Sequence, residues 1–285
     1  MAKNPILNII IVVFISAVTS LYVSGTRDVQ NVTTPESVYE RVMRTGKIRC
    51  GYLPWAHFIE IDANTGALSG VTYDYMETLA KNLNLDIEWV EEIGRGDYIA
   101  ALNNDRFDAY CTVVSWNAER ARQADFIKPI GFETFDIFVR HDDLRFDRNL
   151  KAINNKDIRI ASVEGDIFTK IVRQEFPNAT LIEIPQLSGD SASLDYLATN
   201  KADIVINSAQ VGVRYMQNNP GKIRKVILDK PFRKSPASIS IKGGEFRFKR
   251  MLDIATTEML ENGSISRIWD KYDPDHKFFL RAEGF

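Results

Sequence analysis

Apolar and polar positions along this chain repeat a strand–helix rhythm twice. Lys47 to Leu53 reads as a strand. Phe58 to Asp62 and Ala67 to Gly70 flank the turn Asn64-Thr-Gly66 and predict a small hairpin. Tyr73, Met76, Ala80 and Leu83 fall on one helical face, predicting a helix over 73–83. Leu85 to Val90 reads as a strand, Asp97 to Asn103 as a helix and Ala109 to Val114 as a buried strand. A second series follows, with strands at 135–140, 157–162, 180–184 and 203–207 and helices at 166–175, 191–198 and 209–217. Strand-like 225–228 and 237–241 precede closing helices at 245–260 and 264–271. Before all this, Thr34-Pro35-Glu36 marks a helix start, with Thr34 as cap, and Gly46 its end. Such alternation predicts an α/β fold with mostly parallel strands.

The two series share a plan. Asp108-Ala-Tyr-Cys in the first parallels Asp203-Ile-Val-Ile in the second, each after a helix and a polar turn. Two similar lobes with a cleft between them follow, and open α/β sheets bind ligands beyond the carboxyl ends of their strands. The strand 109–114 runs into a polar turn with Ser115 and Asn117, then Glu119, Arg120 and Arg122. Read as a helix start, this corner offers backbone N–H groups, a hydroxyl and a forked guanidinium to an anion. An ordinary helix cap with solvated arginines fits the same residues. Gly94-x-Gly96 lacks the third glycine or the Lys-Ser/Thr of a phosphate loop and reads as a tight turn.

Composition narrows the classes. The chain has 285 residues, 45% hydrophobic and 26% charged, with net charge −2. No basic excess points to nucleic acid. Residues 1–25 hold one charge, Lys3, then an apolar run and small residues, as in a secretory signal. The run is short for the ~20 residues of a spanning helix, so export is expected, with an anchor as the alternative. Cys50 and Cys111 sit in apolar strand-like runs and read as free buried thiols, although an exported chain permits a disulfide. Three scattered histidines give no metal-ligand spacing, and no cofactor is indicated.

Several stretches together resemble a known family. They are Arg44 to Gly51, Gly66 to Asp74, Leu102 to Asp108, Glu119-Arg120 through Asp125-Phe126, and Asn262-Gly-Ser-Ile before Trp269 to Tyr272. In order and spacing the chain resembles the periplasmic solute-binding proteins of amino-acid-type ABC importers, family 3, with the type II fold. Outside the stretch that carries the resemblance, residues 1–25 read as a signal or anchor, 26–45 as a tether and short helix, and 274–285 as a tail. Lobe 1 is expected at 46–134 plus 235–273 and lobe 2 at 135–234. Crossings near 131–134 and 234–237 would form the hinge. It implies that Arg120 clamps a ligand carboxylate with Ser115 and backbone near Val113, that Trp55 lines the cleft, and that Asp166, Ile167 and Ser208 reach in from lobe 2. A small carboxylate-bearing solute, an ABC permease as partner and a monomeric periplasmic protein are expected.

The chain departs from the family pattern on the opposite side. Amino-acid binders usually carry an acidic residue where Ser208 stands, and an aromatic where Gly94-Arg95-Gly96 stands. An ammonium would need Asp166, Glu164 or another group. Arg95 and Arg120 facing one cleft would favour two acidic groups, so an organic acid is expected at least as strongly as an amino acid. Besides solute delivery, an accessory or sensory subunit for a membrane receptor or dehydrogenase fits the same features. A dehydratase-like enzyme on this scaffold would need a poised acid such as Glu164 or Asp166.

Overall fold

The computed structural model describes residues 10, 13–20, 36–189, 191–275 and 279–282. The chain divides into two units, 1–36 and 37–285. In the first, residues 13–20 are helical. Among the described residues no helix is long and apolar enough to cross a membrane. Much of the expected leader and the Thr34-Pro35 signal lie outside the described residues.

The second unit opens with α1 (Val38–Thr45). Its cap is Ser37, not Thr34. The Ser37 hydroxyl accepts the Glu40 N–H at 3.2 Å, and the Glu40 carboxylate accepts the Ser37 N–H at 3.0 Å. This reciprocal box satisfies two of the N–H groups that every helix start leaves open.

A first group of strands comprises β1 (Lys47–Tyr52), β4 (Asp86–Glu92) and β5 (Ala109–Val114), joined through α2 (Val71–Asn82) and α3 (Tyr98–Asn103). β2 (Glu60–Ile61) and β3 (Leu68–Ser69) form the expected hairpin. β1 lies between β4 and β5, all parallel. The short β6 (Ala124–Phe126) follows, then β7 (Gly131–Arg140). A second group comprises β8 (Arg159–Val163), α4 (Ile167–Glu175), β9 (Thr180–Ile184), α5 (Ala192–Ala198), β10 (Ile204–Ser208), α6 (Ala209–Asn218) and β11 (Ile223–Lys225). β8 lies between β9 and β10, again parallel. The central strands β5 and β10 are buried along their whole length, as strands covered on both faces must be.

Two long strands join the groups. β12 (Arg233–Lys242) pairs antiparallel with β7 through Arg233–Ala237 and changes partners to β5 and β6 from Ser238 onward. β7 pairs with β12 from Gly131 to Phe135, then with β10 and β11 toward Arg140. The two stretches expected as crossings are therefore hydrogen-bonded to each other. α7 (Phe246–Glu261) and α8 (Ser264–Tyr272) return to the first group and pack on α2.

The repeat legible in the sequence has a shared physical basis. Asp108 accepts the Arg49 N–H at 2.7 Å and its guanidinium at 2.9 Å, while its own N–H donates to the Arg49 carbonyl at 2.9 Å. Asp203 does the same with Arg159, at 3.1, 2.9 and 2.8 Å. Each aspartate ties the start of a central strand to its parallel neighbour. Arg41 adds to the first cluster and Arg140 to the second. Burial pushes the Asp203 carboxyl up, but the hydrogen bonds from Arg159 and Arg140 prevail and hold it at about 2.

Two expectations are corrected. Cys50 and Cys111 are not free thiols: they form a disulfide, with a Cα–Cα distance of 5.5 Å. β1 and β5 are direct neighbours in the sheet, with Cys50 opposite Ala109, which brings the two sulfurs together. That adjacency crosses 61 residues and is invisible in either local run. The segment 274–285 is not simply a tail, because β13 (Phe279–Arg281) pairs antiparallel with β7 at Gly131–Glu133. Phe279 anchors it, with its ring centroid 4.5 Å from that of Trp269 and 5.1 Å from that of Phe58.

Closing a loop of 61 residues removes unfolded-state entropy worth about 4 kcal/mol in the loop-closure picture. Urea unfolding with and without dithiothreitol is expected to differ by about 2–4 kcal/mol, less stable when reduced. The Asp203 carboxyl has a folded value of about 2 against an ordinary 3.8, so its contribution is present above the ordinary value and lost as pH falls toward 2. Asp203→Asn is therefore expected to be less stable at neutral pH. It should also lose less stability than the wild type between about pH 4 and pH 2, as read from urea midpoints.

Candidate ligand-binding cleft

The strands of both groups deliver side chains to one place from their carboxyl ends. Trp55 follows β1, Arg95 follows β4 and Ser115 follows β5. Asp166 follows β8, Gln186 follows β9, and Ser208 ends β10. A small cavity of about 10 Å³, room for about one water, is lined by Trp55, Arg95, Val113, Ser115, Arg120, Asp166, Ile167 and Ser208. All eight residues expected from the sequence therefore meet. Val114, Phe168 and Glu133 complete the lining.

The Ser115–Arg120 corner is built differently from the expected helix start. It holds a single 3-10 turn, Arg120–Arg122, before β6. So short a turn has no appreciable macrodipole, and the anion-binding argument passes to the guanidinium. Asn117, not Ser115, caps the turn: its side-chain oxygen accepts the N–H groups of Glu119 and Arg120, each at 3.0 Å. Arg120 is half-buried and aimed across the cleft. One Nη donates to the Ser115 carbonyl at 2.9 Å and the other to the Gly165 carbonyl at 3.0 Å. Beneath it lies Tyr98, 5.8 Å from the guanidinium carbon and stacked on Tyr110. Arg120 forms no ion pair among the described residues. Its guanidinium hydrogen bonds go to two backbone carbonyls.

The opposite side does carry a carboxylate, correcting the expectation drawn from Ser208. Glu133 of β7 is 6% exposed. Its Oε2 accepts the Ser208 hydroxyl at 2.7 Å and the Gln210 amide at 3.4 Å. Burial pushes its carboxyl above the usual range; the Ser208 and Gln210 hydrogen bonds and the nearby Arg95 charge pull the other way. Glu133 has no ion pair of its own among the described residues. The carboxylate thus reaches the Ser208 position from a neighbouring strand. The sequence carries a signal for it: alternation along β7 puts Glu133 on the same face as Gly131 and Phe135, which are buried.

Arg95 is not a second free cation. Its guanidinium carbon sits 3.8 Å from the Trp55 ring centroid, and Nη1 lies 3.5 Å from Asp166 Oδ2. Asp166 Oδ1 accepts the Ile167 N–H at 2.6 Å, capping α4. Asp166 thereby faces both Arg95 and the helix start.

Elements after β4 and β5 touch those after β8 and β9 closely. The Gly96 N–H donates to the Gln186 side-chain oxygen at 2.9 Å, in keeping with a tight turn at Gly94-x-Gly96. Gly165 has φ +77°, and a Cβ there would come within 2.7 Å of the Gly96 Cα. Only glycine meets both demands. At the rim, Lys170 donates to the Glu119 carboxylate at 2.5 Å. Gln186 and Gly165 are parts of this contact that residue-type reasoning passes over, because they act through an amide and a bare backbone.

A curved α/β sheet with two groups of parallel strands, joined by paired crossing strands and opening a polar cleft at the strand ends, defines a type II periplasmic binding-protein fold. The family model for bacterial extracellular solute-binding proteins, family 3, matches residues 48–274, and the chain belongs to that family. It is a solute-binding protein of the kind that serves ABC importers. It is 25% identical over 227 residues to a probable histidine-binding protein of Neisseria gonorrhoeae, covering 76% of this chain and 79% of that protein. A probable amino-acid-binding protein of Bacillus subtilis is 21% identical over 215 residues, covering 73% and 76% of the two chains. Among solved structures, a cysteine-binding protein of Campylobacter jejuni superposes with TM-score 0.72 at 14% identity, over 87% of this chain and 96% of that one. An ancestral amino acid-binding protein described as a precursor of cyclohexadienyl dehydratase gives TM-score 0.72 at 20% identity, over 83% and 99%.

The Glu133 carboxyl is expected to titrate above the ordinary glutamate value. Ser208→Ala should raise it further, since that hydroxyl favours the ionised form. Carboxyl carbon NMR, with Glu133→Gln to assign the resonance, reads both values.

Proposed function

We propose that the chain captures an uncharged α-amino acid in this cleft and delivers it to the membrane permease of an ABC importer. One observation carries the reading: Arg120 and an ionisable Glu133 line the same cavity, and the hydrogen-bond partners of each are neutral. A zwitterion supplies both missing charges. Its carboxylate pairs with the Arg120 fork, helped by Ser115 and by backbone near Val113. Its ammonium is received by Glu133 and Ser208. Trp55, Ile167 and Phe168 pack the side chain. The organic acid expected beside the amino acid leaves Glu133 buried without a counter-charge, which is unfavourable.

In this reading residues 46–134 plus 235–273 form one lobe and 135–234 the other. They close by bending where β7 and β12 cross. The protein acts as a periplasmic monomer without cofactor and performs no chemistry, its first residues serving export. The same buried, raised carboxyl of Glu133 would suit a general acid, so a dehydratase-like activity is the second reading. Turnover of a prephenate-like acid, followed by product absorbance, would select it.

A thermal-shift screen of amino acids and organic acids tests the proposal. At a hundredfold excess over Kd a ligand that binds only the folded state adds about 2.7 kcal/mol of stability. Shifts with uncharged amino acids and none with the organic acids are expected; the reverse pattern would sink the amino-acid assignment. Arg120→Ala strands a buried carboxylate and is expected to weaken binding by about 3–5 kcal/mol, measured by calorimetry.

A further inference from the structure

Resting on the amino-acid reading, we infer that Arg95 is a built-in surrogate for a cationic ligand side chain and bars basic amino acids from the cleft. Its guanidinium makes the contacts that a bound arginine side chain would seek. It lies 3.8 Å over the Trp55 ring and 3.5 Å from the Asp166 carboxylate. Both side chains of that pair are under a tenth exposed, at 9% and 6%. A cation stacked on an indole and paired with a carboxylate away from water is a strong arrangement. Here the protein fills it from its own chain.

The surrounding space supports the same reading. A second chamber of about 80 Å³ adjoins the central cavity and shares Trp55, Arg95 and Asp166 with it. Arg95 therefore stands at the junction of the two. A ligand side chain leaving the Arg120–Glu133 centre toward this chamber meets the guanidinium first. Beyond it the chamber is lined by Glu92 and Glu164 besides Asp166, and Arg95 is the one cation lining it among the described residues. With Arg95 in place, a second guanidinium or ammonium has to displace it against like-charge repulsion. With Arg95 removed, the chamber presents three carboxylates and an indole face, a slot of opposite chemistry. A single side chain thereby separates an uncharged-ligand cleft from a basic-ligand one. Discrimination of this kind is commonly set by a repulsive group rather than by an added attraction.

Calorimetry on the full mature chain tests this, with a panel of L-amino acids and with L-arginine and L-lysine in particular. Wild type, Arg95→Ala, Arg95→Met and Arg95→Ala/Asp166→Asn are compared. The methionine variant keeps an unbranched stem over Trp55 and covers the case in which the alanine variant does not fold. The expected result is that L-arginine binds at least roughly tenfold tighter to both single variants than to wild type, the size of one desolvated cation–π or ion-pair contact. Adding Asp166→Asn should remove the gain. If wild type already binds L-arginine as tightly as the variants do, or if neither variant gains while wild type binds an uncharged amino acid, the role of Arg95 is overturned and the amino-acid reading stands. If no protein in the set binds any amino acid, both fall together.

Discussion

Burying charge in a small space is the constraint on which this cleft depends. A charged group taken from water has to be paired or hydrogen-bonded, or its protonation shifts. Arg95, Arg120, Glu133 and Asp166 line one small cavity. Arg95 and Asp166 answer the constraint with each other. Arg120 answers it with the carbonyls of Ser115 and Gly165, and Glu133 with the hydroxyl of Ser208 and the amide of Gln210. The last two solutions are the weaker ones, since dipoles replace a counter-charge. Their weakness is what gives a zwitterion its opportunity. In the proposed reading, binding exchanges dipole contacts for ion pairs at both ends of one small molecule.

The fold brings these groups together through two features. Parallel strands in each group point their carboxyl ends at the cleft, which sets Trp55, Arg95 and Ser115 facing Asp166 and Ser208. The antiparallel pairing of β7 with β12 then carries the chain between the groups, and Glu133 sits on that pairing, opposite Ser235 and, through β13, opposite Phe279. The carboxylate that completes the site thus belongs to the crossing itself. In the proposed reading, a bend in β7 moves Glu133 relative to Arg120 and couples ligand pairing to closure of the cleft.

Much of this was legible in the chain. Helical and strand periodicities placed the elements within a few residues, and the matching Asp108 and Asp203 starts foretold two alike groups whose aspartates make the same three contacts. Arg120 and Ser115 stood out from their setting after a strand, and Trp55 through the family resemblance; all three line the cavity. What escaped was non-local. The Cys50–Cys111 bond needs β1 beside β5, which no window around either cysteine contains. Glu133 was hidden because the position examined for an acid was Ser208, whereas the carboxylate arrives from the adjacent strand. The state of Arg95 could not be read either: a guanidinium near a cleft looks available until the partner across it, Asp166, is located. The corner after β5 misled in the opposite way, because its cap signal at Asn117 is real but closes a single 3-10 turn rather than a helix.

The central claim is that Glu133 answers an ammonium while Arg120 answers a carboxylate. Calorimetry on wild type and Glu133→Gln, with a bound amino acid and with its 2-hydroxy counterpart, tests it most directly. Removing the ligand's amine and removing the Glu133 charge are each expected to weaken binding, and doing both to cost little more than either alone, since both changes delete the same contact. Losses that simply add, or equal binding of the hydroxy acid by wild type, would contradict it.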